Sequence, residues 1–288
     1  MRAPTVEFTD EQYRQVIHRV GKMVPFDLAS ASSVAVLIER GSQLGIQGSG
    51  TLFRIAEESF VITAAHVIKD SNRRNLRLAP GLCYSGEVIP LDGEAILDER
   101  DEFDIAAVHL KGRVAERIDP KRFLRLNNIS FAEDLAKGLY AVFGYPEMMF
   151  SHDKDELKIV LFYHGGPVYA GETSVIPNFD ASASLLLDAD IDETRGADGK
   201  PIDFCYPQGP SAPFPTELKG ISGGSVWRIM QDPNDIRENP EGARIVAIEV
   251  AICQPKRCIR ATRWKAVKHM LQSEMPRLRP AIDIWRPA

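Results

Sequence analysis

The chain has 288 residues, enough for a two-lobed enzyme or two small domains, and its 44% hydrophobic and 26% charged content excludes disordered and fibrous classes. Its 35 basic residues against 40 acidic ones give a net charge of -5 without a long basic run, so the electrostatic footprint of a nucleic-acid binder is missing. No apolar stretch approaches the ~18 residues of a membrane span, and residues 1–24 hold no secretory core, so a cytoplasmic protein with neither nucleic-acid nor membrane partners is expected.

Thr9, Asp10, Glu11 and Gln12 have capping-box form, in which an N-cap hydroxyl and a glutamine three residues on satisfy each other's backbone donors. Tyr13, Val16, Ile17 and Val20 then share one helical face, with Gly21 as the stop, which predicts an amphipathic helix inside an N-terminal extension over 1–26. From Ser33 the period changes. Short apolar runs at 34–38, 51–55, 60–63, 105–110, 139–144, 159–163, 184–187, 226–229 and 245–252 alternate with turn residues, the pattern of an all-β sandwich or barrel. Residues 111–137 are charged and mixed, and are expected to connect two halves. Residues 192–219 carry Pro201, Pro207, Pro210, Pro213 and Pro215, and so long an irregular segment is expected to be functional or mobile. Trp264, Val267, Met270 and Leu271 recur at helical spacing and predict a C-terminal helix.

Cys83, Cys205, Cys253 and Cys258 lack the paired spacing of a zinc ribbon or a disulfide framework, so neither a metal nor another cofactor is expected. Cys253 and Cys258 close a short loop that could bridge if oxidised; a reducing compartment would leave them as thiols.

Three short motifs carry the chemistry. Thr63-Ala64-Ala65-His66 ends an apolar run and leaves an imidazole at a strand terminus. Asp104-Ile105-Ala106 opens another strand, and Gly220-Ile221-Ser222-Gly223-Gly224 stands just before the strand beginning at Val226. Each alone has an ordinary explanation as a turn, cap or flexible loop. Together, in the chain order His, Asp, Ser, they supply a base, a carboxylate to orient it and a nucleophile. That order differs from those of the subtilisin and α/β-hydrolase triads.

These motifs resemble the signatures of the trypsin/chymotrypsin superfamily of serine peptidases, and of its bacterial single-domain members in particular. Residues 245–248, followed by 259–263, resemble that family's last two strands leading into its C-terminal helix. The resemblance implies two antiparallel six-stranded β-barrels with the active site between them, the first over 27–125 with His66 and Asp104, the second over 126–288 with Ser222. It implies a serine endopeptidase acting on peptides or proteins through an acyl-enzyme. His66, Asp104 and Ser222 would be the triad, and the Gly220 and Ser222 N–H groups the oxyanion hole. Thr216 stands where the pocket base would lie, and Val250, Ala251 and Ile252 where a wall strand would run, so a pocket for a medium apolar side chain is expected; Glu217 is read as a solvated loop carboxylate.

One position departs from the pattern. Ile221 precedes the serine where secreted members carry an aspartate that pairs with a newly cut N-terminus, so activation by N-terminal cleavage is not expected. The alternatives are a protease-like binding module without effective catalysis, and a cytoplasmic effector protease in stress or phage defence gated by a regulatory protein partner. His18, His109, His152, His164 and His269 have no companion motif and are assigned surface or packing roles, as are Ser225 and Trp227.

Overall fold

The computed structural model describes residues 26–69, 73–80, 88–97, 103–136, 138–153, 156–189, 217–230, 242–253 and 256–284. The helix expected over 9–21 and all but the last residues of 192–219 lie outside them.

The first run of apolar segments forms one antiparallel sheet: β1 (Ser33–Arg40), β2 (Gln43–Ile55), β3 (Glu58–Ala64), β4 (Leu76–Pro80), β5 (Ile89–Pro90), β6 (Gly93–Leu97) and β7 (Ile105–Leu110), in the order β5-β4-β1-β2-β3-β7-β6. Val34 to Leu37 are all fully buried, because one face of β1 fills the curl of its own sheet and the other is covered by neighbouring elements. A register shift between Val36 and Leu37 bends β1 and β2 and adds twist, which lets the long β2 wrap around the core. Seven strands appear where six were expected. Pro90 has no N–H to continue a ladder, and Asp92 N donates to Pro90 O across a tight turn, so the last segment is split into β5 and β6. These two pieces are the edges of the sheet, and their adjacency in the chain draws it into a half-barrel.

Residues 111–136 lead from β7 toward the second sheet. They are tied down by Leu124, whose N–H donates to Leu52 O at 2.9 Å and whose carbonyl accepts from Arg54 N at 2.8 Å. The second sheet contains β8 (Leu139–Gly144), β11 (Phe162–Pro167), β12 (Ser184–Asp188), β13 (Ser225–Met230), β14 (Arg244–Cys253) and β15 (Cys258–Arg263), in the order β11-β8-β13-β14-β15-β12. A bridge between Val168 and Leu187 brings its two edges together. β9 (Phe150–Asp153) and β10 (Glu156–Ile159) form a separate hairpin. The architecture is thus mostly β, two curled antiparallel sheets with few helices.

The C-terminal helix spans Trp264–Glu274 and buries Trp264, Val267, Met270 and Leu271, the residues whose spacing predicted it. It follows the second sheet in sequence yet packs on the first, with the Trp264 ring 4.4 Å from Phe53 of β2. Just beyond it, Arg277 donates two 2.8 Å hydrogen bonds to the Glu58 carboxylate, which also pairs with His109 at 3.2 Å. The chain end therefore staples the two sheets together. Among the described residues no helix is long and apolar enough to cross a membrane.

Trp264→Ala should cost about 3–5 kcal/mol of stability, from lost burial plus the cavity left under the helix. Trp264→Phe should cost far less, because the buried indole N–H has no hydrogen-bond partner among the described residues and its removal carries no penalty. Denaturant midpoints of the two variants check this ordering.

Candidate active site

His66 is the second residue of the short helix Ala65–Lys69 that continues directly from β3. Strand pairing sets β3 beside β7, with Ala64 opposite Ile105, so the imidazole emerges next to the residue that opens β7. That residue is Asp104. Its backbone lies in the left-handed region, at φ +50°, a conformation that aspartate tolerates better than most non-glycine residues. The turn serves three hydrogen bonds at once. Asp104 O accepts from Ala65 N at 2.9 Å, Oδ1 accepts from His66 N at 3.0 Å, and Oδ2 lies 2.8 Å from His66 Nδ1. A carboxylate only accepts, so Nδ1 carries the proton and Nε2 holds the lone pair. Thr262 of β15 donates its hydroxyl to the adjacent Phe103 carbonyl, so the second sheet helps to fix the Asp104 turn.

The segment Gly220–Gly224 reaches this point from the other sheet. Ser49 on β2 holds it: Ser49 N donates to Ser222 O at 2.7 Å, and Ser49 Oγ donates to Gly220 O at 2.9 Å while accepting from Tyr145 N at 2.8 Å. Gly223 has φ +95°, and a Cβ there would stand 2.0 Å from Ser49 O and 2.2 Å from Thr63 Oγ1; only glycine fits. Gly220 has φ +99°, and a Cβ there would meet Tyr145 O at 2.7 Å.

This folding of the loop has a consequence for its donors. Ile221 N bonds to Leu218 O, Gly223 N to Glu249 O and Gly224 N to Ile221 O. The Gly220 and Ser222 N–H groups make no such bond among the described residues. They are the two donors expected to form the oxyanion hole. Ile221 itself is 1% exposed and packs in the apolar core of the second sheet with Tyr140, Val142 and Val226. Burial of that side chain anchors the loop from inside, with no charge to be matched by a new N-terminus.

Sequence reasoning missed Glu249. It lies on β14, where its N–H donates to Gly224 O and its carbonyl accepts from Gly223 N, both at 2.8 Å. The side chain is fully buried, and neither carboxylate oxygen has a hydrogen-bond partner of ordinary geometry among the described residues. Desolvation pushes its pKa up to about 8, opposed by the nearby His66 and Ser222 side chains, while the Asp104 charge raises it further and Arg260 lowers it. The same carboxyl thus feels His66, Asp104 and Ser222. The signal was present in the sequence as a single acidic residue inside the apolar run 245–252.

The remaining expectations divide. Ala251 and Ile252 line a cleft of about 720 Å³ bordered by Glu217 and Lys219, next to the Ser222 loop. Val250 is buried in the core, and Thr216 lies outside the described residues. Among the histidines, His109 pairs with Glu58, His152 Nδ1 accepts from Leu44 N, and buried His164 bonds to Asp188 O at 3.0 Å. His269 is exposed, and His18 lies outside the described residues. Trp227 is core, its indole N–H donating to Ser225 Oγ at 2.8 Å.

No family model and no curated protein matches the sequence. Solved structures match by fold. A thermostable serine protease, AL20, from an extremophilic microorganism gives a TM-score of 0.51 at 14% identity, over 86% of this chain and 98% of that one. The inactivated protease paralogue S-I1 of the scabies mite gives 0.50 at 15% identity, over 87% and 96%. The serine protease domain of the Sesbania mosaic virus polyprotein gives 0.44 at 16% identity, over 82% and 90%. The chain therefore has the chymotrypsin-like double-barrel fold of trypsin-like serine proteases, with very little sequence in common.

Burial of Glu249 makes stability depend on pH in a definite direction. An unfolded carboxyl titrates near 4.5 and the folded one near 8, so between those values the native state holds a proton that the unfolded state has lost. The stability contributed by Glu249 is present in full below pH 4.5 and is lost as pH rises through 8. Melting temperatures of the wild type should fall relative to Glu249→Gln across that window, and a constant offset between the two would contradict it.

Proposed function

We propose that the chain is a serine endopeptidase whose nucleophile is Ser222, with His66 as general base and acid, Asp104 as its orienting carboxylate, and the Gly220 and Ser222 N–H groups as the oxyanion hole. The observation that carries this reading is the 2.8 Å His66–Asp104 pair beside a serine loop that leaves those two N–H groups unbonded among the described residues. The halves 27–125 and 126–288 serve as its two barrels. A fold alone does not specify activity, as the inactivated scabies mite paralogue illustrates; the side-chain constellation supports it here.

In this mechanism Ser222 Oγ attacks the peptide carbonyl carbon while His66 Nε2 takes its proton. The carbonyl oxygen becomes an anion held by the two N–H groups. Loss of one such donor typically raises the barrier by ~3 kcal/mol. The imidazolium, stabilised through Nδ1–H by Asp104, gives its proton to the departing amine as the C–N bond breaks, leaving an ester on Ser222. His66 then deprotonates a water that attacks the ester, and the acid leaves as Ser222 regains its proton. No metal or cofactor takes part.

Ile221 supports a loop formed without N-terminal processing. In this reading the enzyme works in a reducing cytoplasm, where Cys253 and Cys258, directly opposite each other on β14 and β15, would stay as thiols.

A fluorophosphonate should label the full-length, unprocessed protein, and Ser222→Ala should abolish labelling. Labelling that survives the substitution, or arises only after N-terminal trimming, contradicts the scheme. Asp104→Asn should keep the fold, since asparagine also tolerates a left-handed turn, yet lower kcat by roughly 10³–10⁴-fold through the wrong imidazole tautomer. Peptide hydrolysis assays within about tenfold of wild type would remove Asp104 from that role.

A further inference from the structure

The cleft beside the Ser222 loop carries charge that the wall strand alone did not suggest. Val175, Ile176, Ala251 and Ile252 supply apolar surface, but Lys219, Lys256 and Arg260 also line it, against the single carboxylate of Glu217 among the described residues. Lys219 is engaged by Glu147 at 2.6 Å. Arg260 differs from the two lysines because it is built into the fold. It sits on β15, paired with Ala251 of β14 on one side and Leu186 of β12 on the other, and is only 6% exposed.

A guanidinium offers five N–H donors and stays charged, so burying one is costly unless carboxylates or carbonyls meet it. Among the described residues, the Arg260 side chain makes one long hydrogen bond, Nη1 to Asn178 O at 3.4 Å, and its Nε has no partner. No carboxylate pairs with it there. The nearest acid by strand register is Glu249, opposite the adjoining Ala261, and burial keeps that carboxyl largely protonated at neutral pH. A buried cation with unused donors, facing a cleft, is matched by a ligand carboxylate, which the planar fork can hold through two bonds.

Position says which part of a ligand this would be. Lys219 lies three residues before Ser222, and Ala251 lies two residues beyond Glu249, whose backbone is bonded to Gly223 and Gly224. The cleft therefore opens directly alongside the proposed nucleophile. We infer that it receives the substrate side chain on the acyl side of the scissile bond and that it selects aspartate or glutamate, with Arg260 as the carboxylate-binding residue. Lys256 adds long-range attraction for the same charge. This rests on the peptidase reading for its place in a reaction, but the recognition itself is a binding property and is testable without turnover.

The experiment uses Ser222→Ala protein and acetylated peptide amides Ala-Ala-Pro-X, with X as Glu, Asp, Leu or Lys, measured by calorimetry. At least one acidic peptide should bind about tenfold or more tightly than the Leu and Lys peptides, with the advantage shrinking as salt rises. Arg260→Gln in the same background should erase the preference and Arg260→Lys should retain part of it. Leu or Lys peptides binding equally well, no binding by any of the four, or a preference that survives Arg260→Gln would each overturn the inference. Should Arg260→Gln fail to fold, as a melting curve would show, the ranking on the parent protein and on Arg260→Lys decides. Absence of fluorophosphonate labelling would remove the peptidase reading alone and leave this test standing.

Discussion

One serine outside the proposed triad holds the site together. Ser49 joins β2 to the Ser222 loop through its backbone N–H and its hydroxyl, and the same hydroxyl accepts from Tyr145 N at the end of β8. Thr63, three residues before His66, in turn donates to Ser49 O at 2.7 Å. The nucleophile loop, the histidine strand and the second sheet thus share one small hydrogen-bonded node. Its compactness explains the glycine at position 223, where any side chain would collide with Ser49 and Thr63. In the proposed mechanism each sheet supplies half of the chemistry, and the node ties the two halves together.

Around that node the fold carries features that work against stability. Asp104 occupies a left-handed conformation, Glu249 is a buried carboxyl without a hydrogen-bond partner of ordinary geometry among the described residues, and Arg260 is a buried cation with idle donors. Each has a cost of order 1–3 kcal/mol or more. The compensation lies elsewhere: in the fully buried apolar runs 34–37 of β1 and 60–62 of β3, and in Trp264 packed on Phe53. Such concentration of strain at one place is the physical mark of a functional site in an otherwise consistent fold. Glu249 has a second effect, since a carboxyl that stays neutral near Ser222 avoids placing another fixed negative charge beside the proposed nucleophile.

The strands that read clearly in the sequence were those with unbroken apolar runs, such as 34–38, 60–63 and 105–110, because burial on both faces removes polar interruptions. β4, β5, β6 and the β9–β10 hairpin were not legible, being short and broken by charge or proline. Gly48, Ser49 and Gly50 belong to β2, where those small residues let the Ser222 loop approach. The motifs around His66, Asp104 and Ser222 were legible because local backbone geometry constrains them. Glu249 and Arg260 were not, because their significance comes from which neighbours meet them across strands, and a one-dimensional pattern gives no register. The bulge between Glu249 and Ala251 illustrates this, since it resets the pairing that brings Arg260 opposite Ala251.

The central claim is that Ser222, His66 and the Gly220 and Ser222 N–H groups meet around one reacting carbon. A crystal structure of the protein reacted with a peptide boronic acid tests this most directly. The account predicts a bond between Ser222 Oγ and boron, one boron-bound oxygen ~3 Å from both N–H groups, and His66 Nε2 in contact with the adduct. Unmodified Ser222, or an adduct oxygen turned away from Gly220, would contradict it.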